Sequence, residues 1–188
     1  GLASPIPKKP ISYSISIVDK LDSLVGFFLI NEKPTSSKDP FALRRIASGI
    51  IRTIIENKRN LKLNDLLVYS SSLYKDQGFS FINQNLQKEL YKFLKDRFRY
   101  YMKEKQIRFD IIDASISSFS INELSSSFEK AKILNKIINN QLGLDITSGY
   151  KRASNILESE MRNNKIEIAN TTDPEIFKSD FEKNLFKK

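Results

Sequence analysis

Apolar residues recur at intervals of three and four along most of this chain, the spacing that lines one face of a helix. From Ser14 to about Ile30 they are Ile17, Val18, Leu21, Leu24, Val25, Phe28 and Leu29. From Pro40 to about Asn57 they are Leu43, Ile46, Ala47, Ile50, Ile51, Ile54 and Ile55. A shorter helix is predicted from Asn64 to Tyr74, and a long one from about Ile82 to Lys105 on Leu86, Leu90, Phe93, Leu94, Phe98 and Tyr101. Asp110 and Asp113 fit the cap and first turn of a short helix, and Asn122 fits the cap of another that reaches about Asn139. Further helices are expected over Ser148–Ser159 and from Asp173-Pro174 onward, with a polar stretch over residues 160–172 between them. Strand alternation persists nowhere. The pattern predicts an all-α protein, preceded by an extended, poorly fixed lead-in at Pro5, Pro7 and Pro10.

The second helix carries the densest chemistry. In PTSSKDPFALRR, Pro34 to Arg45, Asp39 stands where an N-cap belongs and Pro40 at the first helical position. Lys38, Arg44, Arg45 and, two turns on, Arg52 then form a basic patch around a helix start, whose free N–H groups and dipole suit a phosphate. A capped helix with solvated arginines reads equally well from these residues. Gly49 in mid-helix costs about 1 kcal/mol against alanine, which a close helix crossing would explain. Arg97 and Arg99 lie among Phe98, Tyr100 and Tyr101, a mixture that serves either RNA contact or an aromatic core with solvated charge. Lys151 and Arg152 are adjacent on a helix and diverge by about 100°. Asp19 and Asp22, three apart, are weak candidates for a divalent metal, and a solvated helix face suits them better.

Charge sharpens this picture. The chain has 31 Lys and Arg against 22 Asp and Glu, a net charge of +9. Residues 1–60 hold 10 basic and 5 acidic residues, so the excess gathers around the Pro34–Arg45 stretch. Such a field favours polyanionic partners. With no Cys and no His, the chain has no disulfide, no thiolate metal site and no imidazole base. No apolar run approaches the roughly 18 residues of a membrane span.

Two stretches, VDKLDSLVGFF (Val18 to Phe28) and PTSSKDPFALRR, closely resemble the β subunit of the bacterial tetrameric glycyl-tRNA synthetases. That family reads ADKLDTLVGFF and PTGSKDPFALRR; Val18 stands for an alanine and Ser36 for a glycine. FLKDRFRYYMKEKQIRFDIIDASI (Phe93 to Ile116) resembles its DRLR…G…DVIDAVL segment, and SGYKRASNILES (Ser148 to Ser159) its ANKRVSNIL segment. The resemblance implies a C-terminal portion of a β subunit, truncated at its end. Residues 1–80 would close an HD-like helical domain, and residues 81–188 would form part of a DALR-like anticodon-binding bundle. The Asp of such an ADKLD stretch, which here holds Asp19 and Asp22, resembles the last metal-ligand position of the HD phosphohydrolases, here without the histidines.

The implied function is the tRNA-binding part of a cytoplasmic glycine–tRNA ligase, working with glycine tRNA in a tetramer of two α and two β subunits. ATP, with Mg, would be used through the separate α subunit, with no cofactor and no catalytic residue in this chain. Candidate tRNA contacts are Lys38, Arg44, Arg45, Arg52, Arg97, Arg99, Lys151 and Arg152. Two alternatives stand beside this reading: a helical protein-interaction scaffold, and a degenerate HD-type metal phosphohydrolase resting on Asp19 and Asp22.

Overall fold

The computed structural model describes residues 5–79, 83, 85–117, 119–164 and 173–187. Among them the chain is helical throughout, with no strand. The helices are α1 (Pro10–Leu29), α2 (Leu43–Glu56), α3 (Leu63–Asp76), α4 (Leu86–Glu104), α5 (Phe109–Ser117), α6 (Leu124–Ile137), α7 (Gln141–Asn164) and α8 (Asp180–Phe186). Short 3₁₀ turns at Ile121–Glu123 and Pro174–Ile176 precede α6 and α8. The chain divides into two compact units, Gly1–Asn139 and Asn140–Lys188.

In the first unit α2 is the central element, packed on α1, α4 and α6. Its interior stripe, Leu43, Ala47, Ile50, Ile51 and Ile54, is essentially sealed from solvent. So isoleucine-rich a helix has modest intrinsic propensity, and burial against its neighbours holds it. Leu24 and Val25 of α1, Leu67 of α3 and Leu90, Leu94 and Phe98 of α4 complete the same core. Helices on both sides of residue 80 therefore share one interior. Beside it, Lys33 bonds the Glu89 carboxylate at 2.8 Å and the Asn83 amide bonds it at 2.6 Å. These two donors hold Glu89 below the usual carboxylate range.

Several element boundaries differ from the sequence expectation for local reasons. The first helix begins at Pro10, which occupies its first turn, rather than at Ser14. The second begins at Leu43 rather than Pro40, because Ala42 sits in the left-handed region at φ 54°. Asp39 caps it all the same: its carboxylate accepts from the Leu43 N–H at 2.8 Å and the Arg44 N–H at 3.0 Å. Asn122 caps not its own helix but α3, accepting the Asn64 N–H at 2.9 Å. The lead-in is held rather than loose. The Asn57 amide donates to the Pro7 carbonyl at 3.1 Å and Lys8 donates to the Glu56 carbonyl at 2.9 Å. The expected helix start at Ile82 falls outside the described residues.

Four helix ends in this unit use one device. Asn31, Lys58, Gly78 and Gln106 take φ of 66°, 51°, 85° and 58° after α1, α2, α3 and α4. At each, paired N–H groups bond back three and five residues, as Asn31 to Phe28 and Glu32 to Phe27. Only Gly78 adopts this conformation without steric cost. Gln106→Gly is therefore expected to stabilise the protein by up to about 1 kcal/mol, measured as a higher denaturant midpoint with unchanged slope.

The second unit consists of α7, the 3₁₀ turn and α8. α7 starts at Gln141, earlier than Ser148, and runs through Gly143 and Gly149. α8 opens on a capping box in which Ser179 and Glu182 satisfy each other's backbone N–H groups. Of the expected polar stretch, residues 165–172 lie outside the described residues.

Candidate nucleic-acid interface

One face of α1, α2 and α4 encloses an open hollow of about 750 Å³. Successive turns of α2 supply Arg45, Ser48, Gly49 and Arg52 along one edge, with Arg44 at its head. α1 contributes Ser16, Asp19 and Lys20, α4 contributes Arg97 and Tyr100, and the lead-in closes one side with Pro5, Ile6 and Pro7. Five cations thus face a space that, among the described residues, only Asp19 lines with a carboxylate.

The cations are not equivalent. The Arg44 guanidinium donates to the Thr35 carbonyl and lies 4.0 Å from Asp39, so it braces the loop before α2. Asp39 also takes the two leading N–H groups of α2, so the helix start is already occupied by a protein carboxylate. Arg52 is held at 2.7 Å by Glu56, its neighbour one turn on. Arg45 is exposed, and no ion pair is recorded for it among the described residues. Among the described residues, Lys20 bonds only the neutral Ser16 hydroxyl, at 2.7 Å, and the Ser16 carbonyl, at 3.2 Å. Its aliphatic stem lies along Gly49, where an added Cβ would stand 3.1 Å from Cε. The expected close crossing at Gly49 is thus with a lysine side chain.

Arg97 stands over two rings, 5.6 Å from the Tyr100 centroid and 5.9 Å from that of Phe93. Its Nε is buried and has no acceptor among the described residues. Of the aromatics expected near it, Phe98 and Tyr101 are core residues, and only Tyr100 is exposed at the hollow. Burial and the nearby Glu56 raise the Tyr101 hydroxyl to about 12, so it stays protonated at neutral pH.

Of the eight basic residues predicted as contacts, the structure brings together Arg44, Arg45, Arg52 and Arg97. Lys38 is exposed on the preceding loop and does not line the hollow. Arg99 is ion-paired with Asp113 of α5. Lys151 and Arg152 lie exposed on α7 in the other unit. Lys20, which is not among those eight, is tied to the site by the mid-helix glycine opposite it. Asp19 and Asp22 part company. Asp19 joins the hollow, while Asp22 lies by Tyr74, whose hydroxyl donates to the Asp22 carbonyl at 3.2 Å. One carboxylate among five cations does not suit a divalent metal. Among the described residues, no three acidic, His or Cys side chains cluster as a metal site. Nor is any helix there long and apolar enough to cross a membrane.

The family described as glycyl-tRNA synthetase beta subunit matches residues 1–117. The glycine–tRNA ligase beta subunit of Cereibacter sphaeroides (strain ATCC 17029) is 32% identical over 186 residues, spanning 99% of this chain and 27% of that protein. Those of Paracoccus denitrificans and Rickettsia canadensis are 33% and 38% identical over 187 residues, each spanning 99% of this chain and 26% of the relative. The chain spans about a quarter of the length of the relatives it matches.

Proposed function

Because this chain belongs to the glycyl-tRNA synthetase β-subunit family, we propose that it is a tRNA-gripping part of a glycine–tRNA ligase, working in the cytoplasm. The reading assigns ATP, Mg and glycine to a separate α subunit, in an assembly of two α and two β subunits. Residues 1–80 are proposed as the HD-like part and residues 81–188 as the anticodon-binding part. The hollow, lined by α1 and α2 on one side of that boundary and α4 on the other, then combines both. Its task is positional: cations fix the register of a phosphate backbone while another polypeptide makes the ester bond.

The supporting observation is the convergence of Lys20, Arg45 and Arg97 in one concavity, with no carboxylate among the described residues paired to any of them. These three, with Arg44 and Arg52 partly committed, imply three to five phosphate contacts. Plotted as log affinity against log salt, binding of glycine tRNA should have a slope between about −2 and −4.5. It should also exceed binding of an unrelated tRNA. A flat salt dependence, or a scaffold that binds only protein, would reject the reading.

A further inference from the structure

We propose that the hollow between α1, α2 and α4 receives a single unstacked nucleotide, its phosphate on Arg45, Lys20 and Arg97 and its base against Tyr100. This inference rests on the tRNA-binding reading and goes beyond it, because a backbone track needs only charge. Three features of the hollow exceed that need.

The first is its shape. A concavity of about 750 Å³ falls within the range of roughly 300–1,000 Å³ in which small ligands are enclosed. A duplex backbone would lie across such a space, whereas one extruded nucleotide would enter it. The second is the lining. Ile6, Pro7 and Ile46 give apolar wall between the cations, the mixture that suits a base and ribose attached to a phosphate. The third is Tyr100. It is 47% exposed and stands one helical turn from Arg97 with that guanidinium over its ring. An exposed aromatic beside a stacked arginine is a platform for an unpaired base. Arg97, one acceptor short at its Nε, has no ion-paired carboxylate among the described residues to draw it away.

The shared chemistry is a nucleoside 5′-phosphate, and the source we favour is an unpaired position in RNA. Two further arginines, Arg44 and Arg52, line the hollow beyond the three cations assigned to that phosphate, and the hollow is open enough for a chain to enter and leave.

The test compares the full chain with Tyr100→Ala and Tyr100→Phe on four probes: glycine tRNA, a single-stranded RNA tetramer carrying 2-aminopurine, a blunt RNA duplex, and AMP. Thermal melts confirm that both variants fold. Tyr100→Ala should weaken tRNA and tetramer binding roughly tenfold or more and abolish the quenching of 2-aminopurine, while Tyr100→Phe retains both. Duplex affinity should be equal in all three proteins. If Tyr100→Ala binds tRNA as the parent does while binding still falls steeply with salt, the nucleotide pocket is wrong and the backbone reading stands. If the parent shows no salt-dependent tRNA binding, both fail together. AMP that binds as tightly as the tetramer and displaces it would overturn RNA as the source. AMP at least tenfold weaker supports it.

Discussion

Arg45→Glu is expected to weaken tRNA binding by roughly 10- to 100-fold at about 0.1 M salt, without lowering the melting temperature. The charge-assisted hydrogen bond that is lost contributes about 1.5–3 kcal/mol, and the reversed charge adds repulsion. The milder Arg45→Ala should reduce the salt slope by about 1. Its neighbour should behave in the opposite way. Arg44 braces the Thr35–Asp39 loop, so Arg44→Ala should lower the melting temperature and affect affinity mainly through the loosened start of α2. Arg99→Ala, which frees Asp113 outside the hollow, should change affinity least of the three. Filter binding over a salt series, paired with thermal melts, separates these outcomes. Equal affinity losses for all three variants would mean that net charge, and not this hollow, carries the binding.

The second large effect concerns stability. At Gly26 an added Cβ would stand 2.5 Å from the Tyr74 hydroxyl oxygen and 3.0 Å from its Cζ. α1 and α3 pack together here, and Tyr74 is itself fixed by its bond to the Asp22 carbonyl and an edge contact with Phe79. Gly26→Val should cost about 1–3 kcal/mol through overpacking, a melting-temperature loss of several degrees for a chain of this length. In a Tyr74→Ala background the same substitution should cost much less, because the clashing ring is gone. Additive losses would show that the glycine is needed for another reason.

How far the sequence foretold this molecule depends on the range of the interaction. The α2 stripe of Leu43, Ala47, Ile50, Ile51 and Ile54 is a local pattern of period 3.6 and was legible in full. So was the use of Asp39 as a cap, although its reach of four residues to Leu43 was not. The helix ends at Leu29, Glu56 and Glu104 were legible to within a residue, but not the left-handed turns that close them, because Asn31, Lys58 and Gln106 take these turns without glycine. The run through Gly143 and Gly149 in α7 escaped for the converse reason, two glycines that do not break a helix.

The candidate site was half legible. Arg44, Arg45 and Arg52 are linked by sequence proximity and the PTSSKDPFALRR resemblance. That Arg97 meets them depends on α4 packing on α2, and Lys20 joins through its contact with Gly49. Neither is written in any local window. Nor does the doublet at 44 and 45 reveal which arginine is spoken for, since Thr35 selects only the first.

α2 presents two sets of residues with different obligations. Residues 47, 50, 51 and 54 are sealed in the interior, whereas 45, 48 and 52 border the hollow. On the proposed function, substitutions at 45 and 48 retune the strength of the RNA contact while the packing opposite is left alone. A lineage could adapt its grip to a changed ionic milieu by drift at these two positions, without passing through unfolded intermediates.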